Sequence, residues 1–197
     1  MSPSPTSPPR SLLRSRLVRL LSAACLLVGA LLTAAPAGAA TSSSSGLLDV
    51  TCTPPSSAVS SYSPPLTNTP QTSQSSVSYQ LGPCVSLSQP GITSGSATVV
   101  NPPRERSCLD LLAGGSMTIG ITWNTGQTST VSANFNTTVV GALLQVVITG
   151  TVTSGLFQGD TVLLTQTGPA TQVLQCTLGL GTVQSIYSTV ILEITSV

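Results

Sequence analysis

The chain has 197 residues, of which 6% are charged and 3% aromatic, and it contains no histidine. Lysine is also absent, and beyond residue 39 only Arg104 and Arg106 stand against five carboxylates, a net charge of −3. Because cationic contacts to phosphates dominate nucleic-acid affinity, this composition argues against a nucleic-acid-binding protein. Hydrophobic residues make up 40% of the chain. A folded core is therefore expected rather than disorder.

Residues 1–39 have the features of a secretory signal peptide. Arginines cluster around the start of the apolar run Leu17–Leu32, and Ala37-Gly38-Ala39 supplies a small-residue cleavage pattern. The apolar run is shorter than the ~20 residues of a membrane-spanning helix, and no comparable run follows. The sequence predicts cleavage near Ala40 and a secreted protein, extracellular or cell-wall associated, with no transmembrane span in its mature form. An uncleaved anchor is the alternative.

Four cysteines lie beyond the predicted cleavage site: Cys52, Cys84, Cys108 and Cys176. An even number in an exported chain predicts two disulfides. A zinc site is the alternative, but the chain has neither a CxxC pair nor a histidine. The preferred pairing is Cys84–Cys108 with Cys52–Cys176. The rival is Cys108–Cys176, which with Trp123 in between matches the cysteine and tryptophan order of immunoglobulin domains.

Residues 40–76 form an N-terminal segment rich in Ser, Pro and Thr. Leu47–Cys52 is a candidate first strand. Thr53–Ser76 is predicted to be extended and partly polyproline-like along a sheet edge, because proline cannot donate a hydrogen bond to a β-ladder. A proline-rich recognition ligand is the alternative for this stretch.

Residues 77–197 consist of short apolar runs separated by turn residues, and helical periodicity is limited to one turn at Leu109–Ala113. This spacing predicts an all-β domain, a sandwich of about seven to nine strands. The candidate strands are Val77–Leu81, Cys84–Leu87, Ser96–Val100, Met117–Trp123, Thr130–Asn136, Leu143–Thr153, Thr161–Gln166, Gln172–Thr177 and Gln184–Thr195.

The stretch from residue 116 to residue 153 has the clearest alternation. In Met117–Trp123 the odd positions are apolar, and the next four residues form the turn of a predicted β-hairpin. Trp123 falls on the apolar face and is predicted to be a core residue. Strands with one apolar face need a second layer, which predicts two packed sheets. The turn is left as a possible interaction surface, formed by Asn124, Thr125, Gly126 and Gln127.

Several motifs occur together in a known group of proteins. They are Tyr62-Ser63-Pro64-Pro65-Leu66-Thr67, Cys84, Ser107-Cys108, residues 121–129, residues 150–160 and Cys176. The set resembles small exported actinobacterial β-sandwich proteins of the immunoglobulin-like type, a group without an assigned function. The resemblance implies an immunoglobulin-like β-sandwich and export, and it provides no active site to transfer.

Catalytic chemistry has few candidate residues. A nucleophilic Ser, Thr or Cys needs an adjacent base, and without His or Lys neither common arrangement can be built. Paired carboxylates of the glycosidase type would have to be Glu105 and Asp110, which a solvated loop with surface ion pairs explains more simply. Asp160 has too few neighbouring carboxylates for Ca²⁺. The sequence therefore predicts no catalytic residue, no cofactor and no metal.

Two classes of function fit this composition, and a third is retained. The first is a non-enzymatic module that binds an unknown cell-envelope component or secreted protein through loops or an edge strand. The second is a surface-active or self-assembling coat protein, because Val139–Val152 combines high β propensity with no charge and no proline. The third is a carboxylate-dependent hydrolase that uses Glu105 and Asp110.

Overall fold

The computed structural model describes residues 47–197, which belong to one compact unit. The predicted signal peptide, residues 1–39, and its cleavage site lie outside the described residues. The described part contains ten strands, one 3₁₀-helix and one α-helix. They are β1 Leu48–Cys52, β2 Ser57–Leu66, β3 Gln71–Leu81, β4 Cys84–Ser86, β5 Gly95–Arg106, the 3₁₀-helix Cys108–Leu112, β6 Gly115–Trp123, β7 Thr128–Val140, β8 Leu143–Gly155, β9 Thr161–Pro169, α1 Thr171–Thr177 and β10 Val183–Thr195.

Eight of the strands close into an antiparallel β-barrel. Their order is β2-β3-β5-β6-β7-β8-β9-β10, and β10 pairs with β2 to complete the ring. The closing pairs run from Val183–Leu66 to Thr189–Ser57. β1 pairs with the last residues of β10, and β4 pairs with β1. The predicted all-β class is confirmed. The predicted immunoglobulin-like β-sandwich is wrong, because the closing pairs join all eight strands into one continuous sheet.

The barrel interior is filled by the apolar positions of the alternating strands. Trp123 is only 2% exposed, which confirms it as a core residue. Its Nε1 donates to Ser129 Oγ at 2.9 Å, and Ser129 Oγ donates to the carbonyl of Leu156 at 2.7 Å. The Phe157 ring meets the indole edge-on, with ring centroids 5.9 Å apart. The buried indole N–H is thereby satisfied, as a tryptophan in an apolar core requires.

The two ends of the barrel are built differently. At the hairpin end lie the β6–β7 turn, β1 and β4. At the helix end lie the 3₁₀-helix and α1, which pack on a second buried cluster. This cluster consists of Leu66, Cys108, Leu144, Ala170, Val173, Cys176, Val183 and Ile186. The helix end is therefore covered by apolar side chains of the two helices.

The two predicted disulfides are present, but the preferred pairing is wrong. The bonds are Cys52–Cys84 and Cys108–Cys176. Cys52 and Cys84 are direct cross-strand partners in the β1–β4 pair, so neither can reach the partners of the preferred pairing. The rival pairing of Cys108 with Cys176 forms between the 3₁₀-helix and α1, without the sandwich that the same spacing suggested.

The proline-rich segment contributes β2 and the first half of β3, where the sequence predicts an extended, partly polyproline-like stretch along a sheet edge. Its ladder with β3 runs from Ser57 to Ser63 and ends before the two prolines that follow. The carbonyl of Pro64 accepts from Ser73 Oγ at 2.7 Å, and that of Pro65 from Gln71 Nε2 at 2.6 Å. Side-chain donors of β3 thus satisfy the carbonyls of the two prolines where the backbone ladder has ended.

The predicted strand Gln172–Thr177 is wrong, because these residues belong to α1. Ala170, Val173 and Cys176 are fully buried at intervals of three residues. The amide of Leu174 donates to the carbonyl of Ala170 at 2.9 Å. A three-residue spacing of buried positions is typical of one helix face, and a segment of this length shows only two such intervals.

A polar contact crosses the core between strands that are not neighbours. Gln166 Nε2 on β9 donates to Tyr79 Oη on β3 at 2.8 Å, and both side chains are buried. Burial raises the pKa of Tyr79 to about 12. A buried amide that loses such a partner costs stability because it keeps no contact with water.

Replacing Tyr79 with Phe should lower the free energy of unfolding by about 1–3 kcal/mol, since the Gln166 amide then lacks an acceptor. Urea unfolding at neutral pH measures this change. Tyr187 is 57% exposed, and Tyr187→Phe is the matched control with a negligible expected effect. Because its folded pKa is raised, Tyr79 should also cost the wild type stability as pH rises from about 10 towards 12. Equal effects of the two substitutions would contradict the cross-core role.

Candidate functional site

The four residues predicted as an interaction surface form the exposed turn between β6 and β7. The amide of Gly126 donates to the carbonyl of Trp123, and the amide of Trp123 to the carbonyl of Gln127, both at 2.9 Å. Gly126 has a φ of +82°, a left-handed conformation that glycine adopts without strain. The turn is therefore a tight hairpin connection whose shape depends on that glycine.

Asn124 is the residue of this turn whose side chain is already engaged. Its Oδ1 accepts from the amides of Thr93 and Ser94 at 3.0 and 3.2 Å, and its Nδ2 donates to the carbonyl of Gly91 at 2.9 Å. The turn and the loop between β4 and β5 are thus joined into one surface. Thr125 and Gln127 remain as exposed polar side chains, and their use by a partner stays a prediction.

Replacing Asn124 with Ala should free the loop between β4 and β5 and lower the free energy of unfolding by about 1–2 kcal/mol, because three backbone groups lose their partner. Faster hydrogen exchange at the amides of Thr93 and Ser94 would report the local effect. Thr125→Ala is the matched control, since the hydroxyl of that side chain is hydrogen-bonded to Gln127 within the turn and not to the backbone of the loop. Unchanged exchange in Asn124→Ala would show that the loop holds its shape without this side chain.

The two carboxylates considered for hydrolysis have different surroundings. Asp110 Oδ2 accepts from the amide and hydroxyl of Ser107 at 2.7 and 3.0 Å and thereby caps the 3₁₀-helix. These hydrogen bonds hold the pKa of Asp110 below its usual range. Glu105 is exposed on β5 opposite Thr72. Asp110 therefore has a structural role as the cap of the 3₁₀-helix, whereas Glu105 has no such role.

A pair of carboxylates that the sequence did not indicate lies at the hairpin end. Asp160, in the turn between β8 and β9, meets Asp49 of β1. Burial raises the pKa of Asp160, and Asp49 raises it further through a hydrogen bond and its negative charge. Among residues 47–197, no group of three or more His, Cys, Asp or Glu is arranged to hold a metal ion. The proximity of Asp49 therefore disfavours the ionised form of Asp160.

Replacing Asp160 with Asn should raise the melting temperature at pH 7. The raised pKa means that the folded state favours protonated Asp160, so its contribution is full below pH 3.8 and is lost as pH rises through the folded pKa. The gain should shrink towards pH 3, where the wild-type carboxyl is already neutral. Scanning calorimetry at both pH values measures it. Glu105→Gln is the control, and a pH-independent gain would contradict the acid-pair explanation.

The barrel wall is incompletely paired between β5 and β6. Only three residue pairs join these strands, from Gly95–Trp123 to Ala97–Ile121. Beyond them β5 continues to Arg106 alongside β3 alone, and β6 begins at Gly115 alongside β7 alone. We call this unpaired half of the wall, between residues 98–106 and residues 115–120, the open seam. It leaves one edge of each of these two strands free, and β7 likewise has no β6 neighbour beyond Phe135.

Two arginines lie beside the open seam at the helix end. Arg104 pairs with Ser73 and Arg106 with Gln71 in the β3–β5 ladder, so both lie on the same face of β5. Arg106 Nε is buried and has no hydrogen-bond partner in the described part of the chain. Burial lowers the pKa of Arg106, and the neighbouring positive charge of Arg104 lowers it further. The sequence suggested a solvated loop here, because the register that brings the guanidinium groups together depends on β3.

The outer face of β2 and β3 carries a shallow depression of about 650 Å³. Its lining is entirely uncharged, with Tyr62 and Val100 among hydroxyl and amide side chains. None of the polar atoms in this lining is buried without a partner. The depression thus offers area for contact but no group aimed at a particular ligand.

Comparison of the chain with protein-family models, with curated proteins and with solved structures finds no match. Within residues 47–197, no helix is both long enough and apolar enough to cross a membrane. Two disulfides are typical of proteins in an oxidising, extracellular compartment.

Proposed function

We propose that the protein is a secreted, non-enzymatic binding module that holds an extended segment of its partner along the free edge of β6. The partner would be a cell-envelope component with a peptide portion or another secreted protein. The single observation that carries the proposal is the open seam, where β6 has no neighbour on its β5 side beyond Ile121. Free strand edges recognise extended peptides by adding them to the sheet.

The backbone groups of β6 have the direction that strand addition requires. The amide of Asn124 donates to the carbonyl of Ser94 at 3.0 Å, on the side of β5. Alternate residues of a strand point their hydrogen-bonding groups to the same edge. Ser116, Thr118 and Gly120 therefore present their amides and carbonyls to the open seam, and all three residues are exposed.

The free edge of β6 lacks the features that usually protect edge strands. Proteins block such edges with charges, prolines or bulges. β5 has Pro102 and Pro103 on its side of the open seam, whereas residues 115–120 contain neither charge nor proline. Apart from Gly120 and its two chain neighbours, no atom lies within 4 Å of the position that a Cβ on Gly120 would take, so the face of the sheet is open beside this edge. A partner strand is therefore expected on β6 and not on β5.

Catalysis is not part of the proposal. The chain offers no histidine and no lysine as a base for a Ser, Thr or Cys nucleophile. Asp110, half of the carboxylate pair considered for hydrolysis, is occupied in capping the 3₁₀-helix. A binding role needs none of these groups, and it uses backbone donors that are already exposed.

The alternative of a self-assembling coat protein can use the same edge. Val139–Val152, the segment that suggested it, lies in the β7–β8 hairpin. β8 is paired on both sides, with β7 and β9, but β7 has no β6 neighbour beyond Phe135. The β8 part of the segment is therefore unavailable for cross-strand assembly, whereas Val139 and Val140 keep one unpaired edge. A second copy of the chain can also pair through β6, which makes self-association an outcome of the experiment below.

Thr118→Pro should abolish strand addition while leaving the barrel intact, because it removes an amide that faces the open seam and no β6–β7 hydrogen bond. Extended peptides selected against the full chain from a random display library provide the probe. We expect them to slow hydrogen exchange at Thr118 and Gly120. We also expect Thr118→Pro to weaken their binding at least about tenfold, a loss of about 1.4 kcal/mol.

Thr118→Val is the matched control, since it keeps the amide and a β-branched side chain, and peptide affinity should stay within about twofold, or about 0.4 kcal/mol. Peptides that bind Thr118→Pro as well as wild type would overturn the proposal. If sedimentation instead shows concentration-dependent self-association that Thr118→Pro abolishes, the occupant of the edge is a second copy and the coat alternative holds.

A further inference from the structure

We propose that Arg104 and Arg106 form a binding site for an oxyanion group, a carboxylate or a phosphate, at the helix end of the barrel. The site is distinct from the β6 edge and does not rest on the proposed strand addition. The sequence alone predicts no anion-binding residue, and surface ion pairs are the explanation that it gives for the two arginines.

The two guanidinium groups are held on one face of β5. Strand alternation places Arg104 and Arg106 on the same side, across from Ser73 and Gln71, and Glu105 on the other. Both β3 side chains are fixed, since they donate to the carbonyls of the two prolines of β2. The part of β3 beside the arginines is therefore fixed, and the two positive charges are kept next to each other.

Among the described residues, the positive charge at this site is offset in part by one carboxylate, Asp110, which influences the pKa of Arg106 and is itself influenced by Arg104. These two arginines are the only cationic side chains in residues 47–197. The carboxylate that Arg106 senses, Asp110, already accepts two hydrogen bonds from Ser107. Arg104 acts more strongly than Asp110 on the pKa of Arg106, and it lowers that pKa. An anion that bridges the two groups would relieve their repulsion.

Arg106 is partly preorganised for such a ligand. Its Nε is buried and unpartnered among the described residues, while the residue as a whole stays partly exposed. The terminal nitrogens are thus the donors that a ligand can reach. Guanidinium donors match the oxygens of carboxylate and phosphate in pairs. Tyr62 lies close enough for the charge of Arg106 to lower its pKa against the raising effect of burial, so an aromatic hydroxyl borders the site.

The number of cations limits the ligand to a small anionic group. Polyanions such as nucleic acids need many phosphate contacts, and the described part of the chain has a net charge of −3. Two guanidinium groups on a rigid wall instead suit one oxyanion, either free in solution or carried by a larger ligand.

The test uses the full chain labelled with ¹⁵N and follows the arginine Nε–Hε signals during titration with inorganic phosphate and, separately, with succinate. Arg104→Gln and Arg106→Gln assign the two signals. We expect a saturable shift of both signals in one step, weakened by added NaCl as charge screening requires. A response to phosphate alone or succinate alone supports the site and assigns a tetrahedral or planar ligand. No saturable response to either anion overturns it.

The substitutions separate the site from a general charge effect. Arg106→Gln should weaken anion binding at least about tenfold. Arg106→Lys should weaken it less, because lysine keeps the positive charge and loses only the paired donors of the planar guanidinium group. Glu105→Gln should bind as well as wild type or better, since it removes a negative charge from the opposite face. Arg104 is exposed, so Arg104→Gln provides the same test if Arg106→Gln does not fold. Equal anion affinity in wild type and Arg104→Gln contradicts the site whatever the result at the β6 edge.

Discussion

The hydrogen bonds between β2 and β10 turn a curled sheet into a barrel, and the rest of the structure depends on them. They join residues 57–66 to residues 183–189, at the two ends of the described chain. Closure removes the free edges that an open sheet of this composition would expose. It also brings β3 and β9 to opposite sides of one interior, where Tyr79 and Gln166 meet. The open seam is significant because it interrupts a ring that is otherwise complete.

The sequence predicts individual strands well and their closure poorly. The alternation in Met117–Trp123 and Gln184–Thr195 is read correctly, because one face of each strand is buried in any all-β fold. The same alternation fits a sandwich and a barrel equally. The distinction depends on β2, whose prolines hide it: their carbonyls are bound by side chains of Ser73 and Gln71 instead of by a ladder. Without β2 as a strand, nothing in the sequence indicates that the sheet closes on itself, and two packed sheets are the simpler way to cover the apolar faces.

The candidate sites also differ in whether they depend on residues close in sequence or on residues far apart in it. The β6–β7 turn can be predicted from the sequence, because Gly126 and its neighbours define it within a few residues. The hydrogen bonds of Asn124 with residues 91–94 cannot be predicted in this way, since a long stretch of chain separates the two segments. The acid pair of Asp49 and Asp160 and the arginine face beside Ser73 likewise depend on register between remote strands. No local pattern of residue types carries that register.

The two disulfides have a consequence for the order in which the protein can be made. Cys52–Cys84 encloses β2 and β3, and Cys108–Cys176 encloses β6 to β9, so one covalent loop ends before the next begins. The first bond can therefore form once residue 84 has emerged, without waiting for any later cysteine. A nested arrangement would have delayed it until the chain was almost complete. The two disulfides can thus form in order from the N-terminus as the chain is made. β10 follows both of them in the sequence and closes the barrel last.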